Sequence, residues 1–95
     1  MRNMENLAYF TETMRTAHRM AKIEKGRAVN ALTRFLKVTS LSDLEKITQD
    51  SKRGAELMAM KTNPSLVDGF VESIDTAMSF RDWIASYSRS WQMLN

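Results

Sequence analysis

The sequence predicts an all-α fold, a small helical bundle of three to five helices, and three observations carry that prediction. Apolar residues recur at 3-4 spacing along most of the chain. Gly and Pro are scarce, three and one among 95 residues. The dipeptide turns on which β-hairpins depend are missing; Asp68-Gly69 comes closest, but it lies inside a helical pattern. Ninety-five residues make one domain, 1–95, with 43% apolar and 26% charged side chains, normal values for a folded chain.

The first helix spans about 3–38. Phe10, Met14, Ala17, Ala21, Glu24, Ala28, Ala31, Phe35 and Val38 follow one 3-4 seam. Only Glu24 breaks it. The seam is small at its centre and large at its ends, which lets a second helix approach closely. Gly26 is the expected place for a bend or a break. One long helix is preferred to two, because no Ser, Thr, Asp or Asn stands just after Gly26 to start another.

Thr39-Ser40-Leu41-Ser42 marks a boundary, with Ser42 and Glu45 spaced as a capping box. A helix follows towards Lys61, with Leu44, Ile47, Ala55 and Met58 inward. Its polar middle, Gln49 to Gly54, allows it to be two short helices, the second begun at Asp50 or Ser51. Asn63-Pro64 then reads as N-cap and N1 of a last helix, about 64–93, with Ser65 answered by Asp68 as the alternative cap. That helix carries two apolar stripes. Val67, Phe70, Val71, Ile74, Ala77, Met78 and Ile84 form one; Phe80, Trp83, Tyr87, Trp91 and Leu94 form the other. Two stripes are more apolar surface than one neighbour covers.

Composition excludes several functions. With no cysteine there is no disulfide, zinc-thiolate site or thiol nucleophile. No apolar run reaches the roughly 18 residues of a membrane span. No leader pattern is visible at the N-terminus, so the expected location is cytoplasmic. No glycine-rich phosphate loop or metal-ligand spacing occurs, and His18 is the only histidine. The expectation is a non-enzymatic protein with no cofactor and no metal.

Two features point to binding. The net charge of +3 is unevenly spread: residues 1–38 hold eight Lys/Arg against three acids, residues 39–95 six against eight. Arg15, Arg19 and Lys22 share one helix side, and Lys25, Arg27, Arg34 and Lys37 extend it. Such a surface attracts phosphates through counterion release. Asp68, Glu72 and Asp75 are the acids that would neutralise it from within. The second feature is aromatic. Four of the eight aromatic residues fall between Phe80 and Trp91, with Arg81 and Arg89 among them. Core is their commonest fate; exposed, Trp83, Tyr87, Trp91 and Arg89 would anchor a protein partner, and the third reading is that exposed rings stack the bases of single-stranded nucleic acid.

A regulatory binding protein is therefore expected, engaging nucleic acid or a nucleic-acid-handling machine through the basic face. The alternative is an adaptor or inhibitor that binds a larger protein through the aromatic C-terminal helix. The partner is nucleic acid or an acidic surface of a larger protein, with no membrane, and homo-oligomerisation through the Ala-rich seam suits either. Reading Asn30–Gln49 as helix-turn-helix fits poorly, because Asp43 and Glu45 would face the bases. A short, basic, helical chain of this kind resembles in character, without a shared motif, the small regulators encoded by phages and mobile elements.

Overall fold

Where the seam predicts one helix, the chain makes a hairpin. The computed structural model describes the backbone of residues 3–94 and the side chains of residues 5–92. Helix α1 runs Asn3–Met20 and α2 runs Lys25–Val38. They pack antiparallel: Tyr9 and Phe10 of α1 meet Phe35 of α2, ring centroids 4.9 and 5.9 Å apart. The seam is thus closed on itself. Phe10, Met14, Ala17, Ala21, Ala28 and Phe35 are all buried, and the alanines sit near the closed end, where the two backbones converge. This corrects two expectations. The helix breaks at Ala21–Glu24, not at Gly26, which is helical within the first turn of α2 and has no positive φ. Most of the seam proposed for self-association is consumed inside the chain; of its apolar members Ala31 is half-buried and Val38, at the end, is exposed. The break falls at Glu24, the one polar seam member; in the turn its carboxylate stays in water instead of entering the core.

Four shorter helices complete the fold: α3 (Leu41–Ile47), α4 (Gly54–Thr62), α5 (Val67–Glu72) and α6 (Phe80–Ile84). With α1 and α2 they make six α-helices among the described residues, one more than the upper expectation, plus 3-10 turns at Pro64–Leu66 and Ser90–Leu94. No strand occurs among the described residues, so the all-α class holds. Helix α1 is the central post. It is packed by α2, α3, α6 and the last 3-10 turn, while α4 and α5 lie against α2.

Local chemistry sets most boundaries. Ser40, not Ser42, caps α3: its Oγ accepts the Asp43 N–H at 3.0 Å. The polar stretch Thr48–Arg53 does divide α3 from α4, with Asp50 at φ 64° in the left-handed region that Asp tolerates. On α4, Leu57 and Met60 face inward; Ala55 is exposed and Met58 half-buried. Asn63 caps as expected, its Oδ1 accepting from Ser65 N–H at 3.3 Å, with Pro64 at N1.

The continuous 64–93 helix is not formed. Helix α5 ends at Glu72. The Asp75 carboxylate then accepts the N–H groups of Ala77 and Met78, and Ser79 Oγ caps α6 through Asp82 N–H. The physical reason lies in the two stripes. One straight helix cannot turn both towards one core; a chain bent between residues 73 and 79 can. Val67, Phe70, Val71 and Ile74 from one stripe and Trp83, Tyr87 and Trp91 from the other are all buried together. Ala77 and Met78 stay exposed, and Leu94, assigned to the second stripe, has its side chain outside the described residues.

Candidate nucleic-acid interface

The seven basic residues of the N-terminal face do not share one environment. Lys25 points to α5, where its Nζ donates to Asp68 Oδ2 and Glu72 Oε2, both at 3.0 Å. The hydrogen bonds to Asp68 and then Glu72 hold its ammonium above the usual lysine pKa. Lys22 donates to the Glu72 backbone carbonyl at 3.1 Å, at the C-terminal end of α5, where a cation is favoured. Among the described residues no carboxylate meets its charge. Arg27 has Glu24 at 3.6 Å, a loose pair with both side chains largely exposed, worth little in water. The Arg15 guanidinium lies over the Phe80 ring, 4.7 Å from its centroid. Arg19, Arg34 and Lys37 are exposed and take no ion pair or hydrogen bond among the described residues.

Of the three acids expected to neutralise the face, Asp68 and Glu72 are thus spent on Lys25, and Asp75 on its own turn. Helix geometry explains why one cation is captured and the others are not. At about 100° per residue, Lys25 falls on the flank of α2 that looks to α5, whereas Arg27 and Arg34 lie within about 20° of each other on the outer side.

On α1 the same geometry places Arg19 about 40° from Arg15 and about 60° from Thr16, between the two. Each neighbour borders a groove. On one side Arg15, Phe80, Arg81, Trp91 and Gln92 line a groove of about 530 Å³. On the other, Thr16, Glu24, Gly26, Arg27, Asn30, Ala31 and Arg34 line one of about 570 Å³. Arg19 is the ridge that joins them. The sequence places Arg81 among the aromatics but does not join it to the basic face, and it does not show this first groove. The signal was there, an arginine interleaved with Phe80 and Trp83, but the bend that carries α6 against α1 is marked in the sequence only by the two stripes and the Ser79–Asp82 cap. Lys37 stands apart, with Thr33, Lys61 and Val67 beside a third groove.

The aromatic cluster has a different role from the exposed anchor. Trp83, Tyr87 and Trp91 are 3%, 1% and 5% exposed. Trp83 packs at a tilt against Tyr87 at 5.2 Å and against His18 at 5.3 Å, and Phe70 meets Tyr87 edge-on at 5.5 Å. The His18 ring N–H donates to the Met78 carbonyl at 2.8 Å, tying α1 to the bend. Tyr87 O–H donates to Glu56 at 3.2 Å, and Arg53, paired with that Glu56 at 2.7 Å, lies over the Tyr87 ring. Burial, and then the Glu56 charge, push the Tyr87 phenol well above its ordinary pKa. These rings are core, so the C-terminal helix offers none of the three as free surface; Arg89 alone of that set is exposed.

No three His, Asp or Glu residues converge as a metal site among the described residues, and no described helix is long and apolar enough to cross a membrane. Comparison of the chain with family models, curated proteins and solved structures returns no match.

Proposed function

We propose that this chain is a non-enzymatic binding protein that engages nucleic acid through phosphate contacts from the outer faces of α1 and α2. One observation carries the reading: Arg15, Arg19, Arg34 and Lys37 remain clear of every described carboxylate, while the acids that should have neutralised them are committed elsewhere. A folded chain gains little stability from such uncompensated cations, and phosphate is the ligand that rewards them. The adaptor reading through Trp83, Tyr87 and Trp91 has lost support, because those rings are buried.

The test is fluorescence anisotropy with labelled duplex and single-stranded oligonucleotides over a salt series. Affinity should fall by at least about tenfold between low and physiological salt. Reversing Arg19 and Arg34 to Glu together should remove the binding and flatten that salt slope, with helix content unchanged. Lys25→Gln should leave affinity close to that of the parent chain, since its charge is already satisfied. Salt-insensitive binding, or a double variant that binds as the parent does, would sink the proposal.

A further inference from the structure

The geometry points to a single-strand-selective subsite in the groove between α1, α6 and the last 3-10 turn, where an unstacked base is held by Arg15, Phe80 and Arg81 while its strand runs over Arg19 towards Arg27 and Arg34. This inference rests on the phosphate-binding reading above and deepens it by naming the class of nucleic acid.

Three features distinguish this groove from a merely charged surface. First, its polar walls are cationic. Arg15 and Arg81 face it from two different helices, and among the described residues no carboxylate lines it; Asp82, next to Arg81, makes no ion pair among the described residues. Second, its apolar walls are aromatic. Phe80 and Trp91 meet edge-to-face, centroids 6.1 Å apart at 69°. Third, the Arg15 guanidinium is already held over Phe80 at 4.7 Å. A guanidinium with one face covered by a ring still presents its other face, and a base stacks on such a plane as readily as on an aromatic ring. Gln92 at the rim brings an amide that both donates and accepts, the complement of a base edge.

Duplex bases cannot use such a site, because their faces are stacked on each other and only phosphates and groove edges remain accessible. A single strand can place a base in the groove and its phosphates on the ridge. Stacking of this kind is sequence-tolerant, because every base has a π-face. The second groove, across Arg19, has no ring among its lining residues and carries Glu24; it serves backbone only. The expected footprint is therefore asymmetric, base contact at the α6 end and phosphate contact along α2.

The test compares a short single strand with a duplex of equal length at one low salt concentration, using the parent chain, Arg81→Glu and Phe80→Leu. The parent should prefer the single strand, and each substitution should weaken single-strand binding by roughly tenfold while changing duplex binding far less. Phe80 also packs against Trp83, so circular dichroism accompanies that variant; if it unfolds, the exposed Arg81 decides alone. Equal affinity of the parent for both forms, or equal losses on both, overturns the subsite but leaves the phosphate-binding reading standing if Arg19/Arg34 reversal still removes binding. No binding to either form overturns both. Displacement of the strand by polyglutamate at matched charge concentration also overturns the subsite, since it would show that negative charge alone suffices.

Discussion

The α1–α2 hairpin and the segment from Thr39 onward solve the same problem, burying an apolar face, in opposite ways. The hairpin uses two long helices of 18 and 14 residues, and α2 begins with no side-chain cap. The later segment uses helices of 7, 9, 6 and 5 residues. Helices that short do not persist alone, and this half is tied down by polar side chains to match. Ser40, Asn63 and Ser79 cap; Ser51 Oγ donates to the Ser86 carbonyl at 2.7 Å; Ser88 Oγ donates to the Ile47 carbonyl. Small polar side chains beyond Thr39 thus serve the fold, although Arg81 and Arg89 of this segment stay exposed. The hairpin makes few such ties, and most of its outer cations are unspent. The contrast separates a segment held together by polar ties from one with most of the charge to spare for a partner.

Breaking the segment from Thr39 onward should cost most. Trp83→Ala removes a buried ring that touches His18, Phe70, Phe80 and Tyr87, and should destabilise by about 3–5 kcal/mol in urea denaturation. Reversal of Arg19 and Arg34, exposed and unpaired, should change stability by less than about 0.5 kcal/mol. If the two variants unfolded at the same urea concentration, the division of labour would be lost. Gly54→Ala comes next. A Cβ there would stand 2.6 Å from Thr48 Cβ and 2.7 Å from its Oγ1, whose hydroxyl donates to the Leu44 carbonyl. Prying α4 from the end of α3 should cost about 1–3 kcal/mol, visible as a lowered Tm.

The gentlest probe is alkaline pH. Tyr87 and Lys25 both have folded-state pKa values raised above their ordinary ones. Their contributions are therefore whole below about pH 10, where both groups keep their protons even when unfolded. They are lost as pH rises from there towards the folded values. Stability should decline on the alkaline side, and Tyr87→Phe should blunt that decline more than Lys25→Gln, because Lys25 and its two carboxylates are solvated. A decline unchanged in Tyr87→Phe would remove the phenol from its cause.

Much of this was readable beforehand at the level of local signals. The scarcity of Gly and Pro and the 3-4 spacing foretold helices. Asn63-Pro64 marked its boundary correctly, and the polar run Gln49–Gly54 flagged the gap between α3 and α4. Other signals were present but ambiguous. Glu24 interrupts the seam, yet one acid in a seam is equally compatible with a register-setting polar residue in a long helix. Two apolar stripes on one predicted helix were in fact the trace of a bend, and Ser79 with Asp82 was the cap that restarted the chain. At the candidate interface, the seven cations of the basic face were identified, but which of them stay free was not, and Arg81 was named among the aromatics without being joined to that face.

Sequence alone determined the helical class, the excess of positive charge in the first 38 residues and the aromatic character of the last third, because composition and periodicity act over one or two turns of chain. Only the tertiary structure decided that the Ala-rich seam closes on itself, that Lys25 meets Asp68 across 43 residues, and that Arg15 comes to rest on Phe80. Spacing reports the angle at which a side chain leaves its own helix. It carries no information about which distant segment arrives at that angle, and for a surface cation that arrival is the difference between a spent charge and an available one.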